Sequence, residues 1–128
     1  MFDVEKFRAY CLKMKGVTEE FPFGEDTLVY KVMGKMFALT GLESEQFTIN
    51  LKCERELMET LRAKYPAVQP GYHMNKQHWN TVVVDGSIFS VVVDGSIAQK
   101  EILAMIDHSY NEVVKGLTKK MQQALENL

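Results

Sequence analysis

The segment Leu28–Thr40, LVYKVMGKMFALT, limits the possible folds of this chain more than any other segment does. Before Gly34, Leu28, Tyr30 and Val32 alternate with Val29, Lys31 and Met33, and a period of two is typical of β-strands. A glycine between two such runs suits the tight turn of a hairpin. The segment therefore predicts two antiparallel strands joined at Gly34.

Further strand and helix patterns flank this hairpin. Changes between period two and period 3.6, together with capping residues, prolines and glycines, mark where each element begins and ends. The expected elements are a helix capped by Asp3 and stopped by Gly16, a short edge strand and turn within Val17–Thr27, a strand in Gln46–Lys52, a helix over Glu54–Tyr65, a strand over Trp79–Val84, a long helix after Ser96 with Ser96 and Gln99 as a capping box, and a short helix capped by Thr118.

This order of elements predicts an α+β protein, with a single antiparallel β-sheet and helices packed on one face. The length of 128 residues fits one domain, 1–128. No apolar run approaches the roughly 20 residues that span a bilayer, and the amino terminus has no export-signal core. We therefore expect a monomeric cytoplasmic protein in which Cys11 and Cys53 are reduced thiols.

An identical heptapeptide, VVVDGSI, occurs at Val82–Ile88 and again at Val91–Ile97. Asp85-Gly86 is a preferred pair for a type I′ turn, and valine-rich runs flank it. The repeat therefore predicts a hairpin in which Thr81–Val84 pairs with Ser87–Val93. The alternative is that one copy forms a loop.

The stretch from Leu61 to Val84 contains no Asp or Glu, although the chain has 17 acids against 15 bases. Bases, aromatic residues and amides are interleaved in it, a combination that suits phosphates and stacked nucleic-acid bases. The net charge of -2 argues against uniform coating of DNA, so anion binding would have to come from local clustering.

Ten residues form the predicted binding set, in the acid-free stretch and on the polar faces of the predicted strands. For the loop residues, the structural alternative is a turn packed on the sheet, with Trp79 in the core. For the strand residues, it is an ordinary solvated sheet face. The set comprises Lys31, Lys35, Asn50, Lys52, Tyr72, His73, Asn75, Lys76, His78 and Asn80.

Other classes of site find little support in the sequence. His73, His78 and Cys53 lack the spacing of a zinc site. Asp3 and Glu5 are too few for an acidic iron-binding ridge on the first helix. No glycine-rich phosphate loop or nucleophile motif occurs. We therefore expect no metal, no cofactor and no enzymatic activity.

Five blocks of the sequence, in this order, cover nearly the whole chain: Lys15–Gly24 (KGVTEEFPFG), Leu28–Leu39 (LVYKVMGKMFAL), Ile49–Cys53 (INLKC), Leu61–Val82 (LRAKYPAVQPGYHMNKQHWNTV) and Ile106–Val114 (IDHSYNEVV). Their order resembles that of the MmcQ/YjbR family. That resemblance implies a CyaY-like α+β fold and a DNA-binding function through strands and loops in a double-wing arrangement. The chain departs from the family pattern in the duplication.

Two functions follow from these observations. The first is a binding module with DNA as its ligand, bound weakly and without sequence preference. The second is an adaptor for a protein or a small molecule, with no role in nucleic-acid binding, that uses a pocket between the sheet and the loop Pro70–Asn80. The acid-free stretch favours the first, and the acidic net charge favours the second.

Overall fold

The computed structural model describes residues 3–43, 47–71, 75, 78–84 and 98–128. Within these residues, six strands form one antiparallel sheet in the order β1-β2-β3-β4-β6-β5. The strands are β1 (Val17–Glu20), β2 (Thr27–Val32), β3 (Lys35–Gly41), β4 (Thr48–Lys52), β5 (Val68–Pro70) and β6 (Trp79–Val83), and the helices are α1 (Val4–Leu12), α2 (Arg55–Lys64), α3 (Gln99–Lys115) and α4 (Lys119–Glu126).

The helices pack on one face of the sheet, which we call the helix face. Side chains from all of them enter one apolar core there, with alternate residues of the central strands beneath them. The opposite side, the second face, carries a smaller apolar cluster of Val29, Leu39 and Trp79, with Met36 against it. The predicted α+β class, with one antiparallel sheet and helices on one face, is confirmed.

The first helix forms where the sequence predicts it. The Asp3 carboxylate accepts the Lys6 amide at 2.9 Å, as expected of an N-cap. Arg8 on this helix donates two hydrogen bonds, of 3.0 and 3.1 Å, to the carboxylate of Glu19 in β1. The Tyr30 hydroxyl donates to the same carboxylate at 2.7 Å. Charge-assisted bonds from Arg8 hold the pKa of Glu19 below its usual range and fix α1 against the edge of the sheet.

The hairpin of β2 and β3 turns at Met33 and Gly34, whose φ angles of 50° and 83° are both positive, as a type I′ turn requires. Beyond the turn, the register shifts between Tyr30 and Lys31. Because of this bulge, the successive residues Phe37 and Ala38 of β3 both lie in the core on the helix face.

The bulge leads to an unusual contact between α3 and the sheet. The register of β3 with β4 pairs Ala38 with Leu51, and continuing it would place Phe37 opposite Lys52. Instead, the buried Ser109 hydroxyl of α3 lies between them. It accepts the Lys52 amide at 2.8 Å and donates to the Phe37 carbonyl. One helix side chain thus satisfies two backbone groups of separate strands.

The next residue of α3 extends this attachment. The His108 ring accepts the Glu54 amide at 3.1 Å through Nε2, so this nitrogen carries no proton. Between the two bonds, the Cys53 amide donates to the His78 carbonyl at 2.9 Å. The end of β4 and the start of α2 are therefore held in a fixed position relative to α3.

Three details of the structure differ from the sequence prediction. The N-cap of α3 is Ala98 and its first helical residue is Gln99, so the predicted start at a Ser96 cap is wrong. With this start, the acid in the first turn is Glu101, which suits the helix dipole. The short strand β5 was not expected, because Pro70 and the turn residues that follow it obscured it. The predicted pairing of Thr81–Val84 with Ser87–Val93 is wrong at Thr81 and Val82, because β4 and β5 already pair with these residues from the two sides of β6. The rest of the duplication, residues 85–97, lies outside the described residues.

Replacing Ser109 by Ala tests how far the fold depends on the bridge to the sheet. The change leaves the Lys52 amide and the Phe37 carbonyl buried without this partner. We expect the free energy of unfolding to fall by about 2–4 kcal/mol, since each buried polar group left unpaired costs about 1–3 kcal/mol. Urea unfolding followed by circular dichroism measures the change.

The matched control is Thr60→Ala on α2, where an exposed hydroxyl donates to the Glu56 carbonyl at 3.2 Å. This change should alter the free energy of unfolding by about 0.5 kcal/mol or less. A Ser109→Ala variant as stable as the Thr60→Ala variant would contradict a structural role for the bridge.

Candidate functional site

A pocket of ≈ 200 Å³ lies on the helix face, between α2, α3 and strands β4 and β6. We call it the α2–α3 pocket. Its walls are mainly apolar, and its polar groups are few. The lining residues are Leu51, Lys52, Cys53, Leu57, Leu61, Asn80, Val82, Glu101, Ala104, Met105 and His108.

Asn80 is the polar residue in the wall formed by the sheet. It pairs with Leu51 of β4 on one side and Pro70 of β5 on the other, so its side chain lies on the helix face. Only 2% of the residue is exposed. The Nδ2 atom of its amide has no hydrogen-bond partner, and no other described side chain has a buried nitrogen or oxygen in that state.

Arg62 of α2 sets the orientation of this amide. Its Nε donates to Asn80 Oδ1 at 2.8 Å, and its Nη2 donates to the Trp79 carbonyl at 3.3 Å. Because Arg62 is only a donor, the amide oxygen must face it, and the NH₂ group must face away. Arg62 is one of the bases in the acid-free stretch Leu61–Val84, and the structure gives it these hydrogen bonds within the fold.

Cys53 and His108 add two further groups to the pocket wall. Burial raises the pKa of the Cys53 thiol to about 11, and the carboxylates of Glu112 and Glu54 add to this effect. At neutral pH, Cys53 is therefore a thiol and a poor nucleophile. His108 already accepts the Glu54 amide. The polar groups of the pocket suit the binding of a ligand better than covalent chemistry.

The strand residues of the predicted binding set lie on the second face. Asn50 pairs with Thr81, whose hydroxyl donates to Asn50 Oδ1 at 2.6 Å. Lys52 pairs with Trp79, which is 8% exposed, so the expected burial of Trp79 is confirmed. Lys31 forms an ion pair with Glu20 at 3.2 Å.

The remaining predicted residues are more widely spread. Lys35 is exposed beside the hairpin turn, and with Lys52 and Trp79 it lines a groove of ≈ 380 Å³ that also contains Glu112. Asn75 and His78 are exposed, and the His78 amide donates to the Asn75 carbonyl at 3.1 Å. Asn80 lies on the helix face, in the α2–α3 pocket that Lys52 also lines. Tyr72, His73 and Lys76 lie outside the described residues.

The α2–α3 pocket was not anticipated at this position. The sequence indicated a pocket next to the loop Pro70–Asn80, and of its ends only Asn80 lines the observed one. Leu57, Leu61 and Met105 lie at apolar positions of amphipathic helices, and residues that line a pocket have the same sequence pattern as residues that fill a core. A buried-strand asparagine among apolar residues was the one available signal.

Three comparisons with known proteins show to which family the chain belongs. Residues 12–112 match the model of the YjbR family. The chain belongs to this family. The predicted MmcQ/YjbR membership is therefore confirmed.

Relatives within the YjbR family cover almost all of the chain. It is 34% identical to "Uncharacterized protein YbdF" of Escherichia coli O157:H7, over 93% of this chain and 90% of that protein. It is 27% identical to "Uncharacterized protein YjbR" of Escherichia coli K12, over 98% of each. A crystal structure of Deinococcus radiodurans protein DR2400, domain DUF419, has a TM-score of 0.84 at 33% identity, over 98% of this chain and 89% of that one.

The described part of this YjbR-family chain also limits other kinds of site. It contains no group of three or more His, Cys, Asp or Glu side chains that could hold a metal ion. None of the described helices combines the length and the apolar character needed to cross a membrane. The cytoplasmic location and the monomeric state stay predictions.

The two thiols provide a test of the burial described above. Cys11 is fully buried and Cys53 is 7% exposed, so iodoacetamide should label Cys53 first and Cys11 only after unfolding. Because the thiolate is the reactive form and the pKa of Cys53 is about 11, its labelling rate should keep rising about tenfold per pH unit between pH 8.5 and 10. Mass spectrometry of the labelled peptides gives both rates.

A labelling rate that levels off near pH 9 would mean that Cys53 reacts as an ordinary exposed thiol. Finding fewer than two free thiols in the denatured, unreduced protein would contradict the predicted reduced state.

Proposed function

We propose that this YjbR-family protein binds a small, mainly apolar molecule in the α2–α3 pocket. The supporting observation is the ≈ 200 Å³ space that remains between α2, α3 and the sheet. Protein interiors are packed so closely that voids larger than a water molecule are few. A space of this size next to a well-packed core is therefore a candidate binding site.

The size of the pocket limits its occupant. A cavity of about 150 Å³ with apolar walls is known to accept benzene. The α2–α3 pocket, at ≈ 200 Å³, has room for one ring with a few additional atoms. It is too small for a helix or strand of a partner protein, so a small molecule is favoured over a protein segment.

The entrance of the pocket is more polar than its interior. Ala104 of α3 is exposed and also lines the pocket, so it lies at the entrance. Lys52, Glu101 and His108 also line the pocket, while Leu51, Val82 and the α2 leucines supply apolar walls. An apolar interior with a few polar groups is typical of small-molecule sites.

The test is to block the entrance. Acetophenone is titrated into the ¹⁵N-labelled protein, and we expect a dissociation constant of about 0.1–1 mM, appropriate for so small a ligand. Amide shifts should be confined to residues around the pocket. Ala104→Phe should reduce the affinity at least about tenfold by filling the entrance.

The matched control is Ala63→Phe, since Ala63 is exposed on α2 and does not line the pocket. It makes the same substitution in a helix and should leave the affinity unchanged. If no shift appears with about 10 mM acetophenone, or if both variants bind equally well, the proposal is wrong.

A second candidate is weak binding of DNA at the groove between the sheet and the carboxyl-terminal end of α3. Lys35 and Lys52 both line the groove next to Trp79, and neither forms an ion pair with a described acid. Two lysines beside an aromatic residue suit phosphate contacts with little sequence preference. Lys31 contributes less to this candidate, because Glu20 already neutralises it.

Fluorescence anisotropy with labelled duplex and single-stranded oligonucleotides tests the second candidate. About three to five phosphate contacts would give a log–log salt slope of roughly -3 to -4.5. Lys35→Ala and Lys52→Ala should each reduce this slope by about one unit. Lys119→Ala, on the exposed surface of α4, is the control and should have no effect. Absence of binding at about 50 mM salt and about 100 μM protein would exclude DNA as a ligand.

A further inference from the structure

The buried, unpaired amide nitrogen of Asn80 indicates which class of ligand the α2–α3 pocket binds, and this inference rests on the proposed function. We propose that the pocket selects a compact molecule with a hydrogen-bond acceptor, such as a carbonyl, which receives the free N–H of Asn80 Nδ2. No other described side chain in the pocket wall has a buried nitrogen or oxygen atom without a hydrogen-bond partner.

Asn80 is an improbable residue for a purely structural position. It lies in β6, between Leu51 of β4 and Pro70 of the edge strand β5, and 2% of its surface is exposed. Leaving a buried amide N–H unpaired costs about 1–3 kcal/mol. An apolar side chain at this position would avoid that cost. The amide is therefore better explained if an acceptor atom of the ligand pairs with it.

The direction of the free donor is fixed before any ligand binds. Arg62 Nε holds Asn80 Oδ1 at 2.8 Å, and a further bond from Arg62 Nη2 to the Trp79 carbonyl holds the guanidinium in place. The amide cannot flip without losing the bond from Arg62 Nε. The positive charge on Arg62 also polarises the amide, which makes its N–H a stronger donor.

The surrounding residues define the rest of the ligand. Leu57, Leu61 and Val82 are apolar, and Met105 adds an adaptable thioether. These walls favour a ring or a branched alkyl group. Together with the ≈ 200 Å³ volume, they indicate a molecule of about ten non-hydrogen atoms, such as an aromatic ketone, aldehyde or amide.

Two probes of equal shape test the inference with the full chain. Acetophenone and α-methylstyrene differ in that a C=CH₂ group replaces the carbonyl. Both are titrated into the wild-type protein and into Asn80→Asp, which keeps an oxygen for Arg62 and removes the donor. Comparing the ratio of the two dissociation constants between the proteins cancels the different hydrophobicity of the probes.

We expect the preference for acetophenone over α-methylstyrene to fall at least about fivefold in Asn80→Asp, as the loss of one hydrogen bond implies. In the wild-type protein, the Asn80 side-chain NH₂ resonances should shift downfield with acetophenone and much less with α-methylstyrene. This second measurement does not require the variant to fold.

The outcomes separate this inference from the proposed function. If neither probe binds the wild-type protein, the pocket does not bind small molecules and both proposals fail. A different result is that both probes bind, the wild-type protein and Asn80→Asp show the same preference for acetophenone, and both probes shift the Asn80 NH₂ resonances equally. The proposed function then stands, and the proposed role of Asn80 is wrong. In that case, water satisfies the amide.

Discussion

The placement of α3 on the sheet depends on the Ser109 hydroxyl, and the pocket depends on the placement of α3. The bulge at Phe37 takes one carbonyl out of the β3–β4 ladder, and the helix supplies the hydroxyl that reconnects it to the Lys52 amide. His108 then binds the amide of Glu54, at the entrance to α2. Backbone hydrogen bonds are directional, so these contacts fix the position of the helix more tightly than apolar packing alone would.

The pocket is a consequence of how the two helices are attached. α3 is held at the end of β4, whereas α2 is connected to the sheet through Arg62, which bonds to Trp79 and Asn80 of β6. The hydrogen bond that attaches α3 is to β4, and those that attach α2 are to β6. The two helices are therefore held apart, and the ≈ 200 Å³ space between them stays open. Removing either attachment would allow the core to collapse into the pocket. The chain therefore uses polar contacts to keep an apolar space open.

Local features of the sequence predict most of the strands and the helix caps at Asp3 and Thr118. Contacts between residues far apart in the sequence could not be predicted in this way. Asp3 and Thr118 each cap a helix through an amide three residues away, and the turn at Gly34 needs only its neighbours. The Ser109 bridge joins residues 57 and 72 positions apart. Such a contact depends on the bulge and the final register, and neither has a signature within one segment. The same reason explains why Asn80 was placed in an exposed binding surface and not in a pocket wall.

The two candidate sites are neighbours, because Lys52 lines both the α2–α3 pocket and the groove beside Trp79. β6 contributes to both faces, because Asn80 lies under the helices and Trp79 and Thr81 lie on the second face. On that second face, Glu20 neutralises Lys31. The Thr81 hydroxyl already donates its hydrogen to Asn50 Oδ1. Few polar groups are therefore left there for a phosphate, whereas on the helix face a buried donor has no partner at all. An unused donor in a low-dielectric site costs free energy until something binds it, while a solvated lysine costs nothing. This difference is why the helix face carries the stronger case for a ligand.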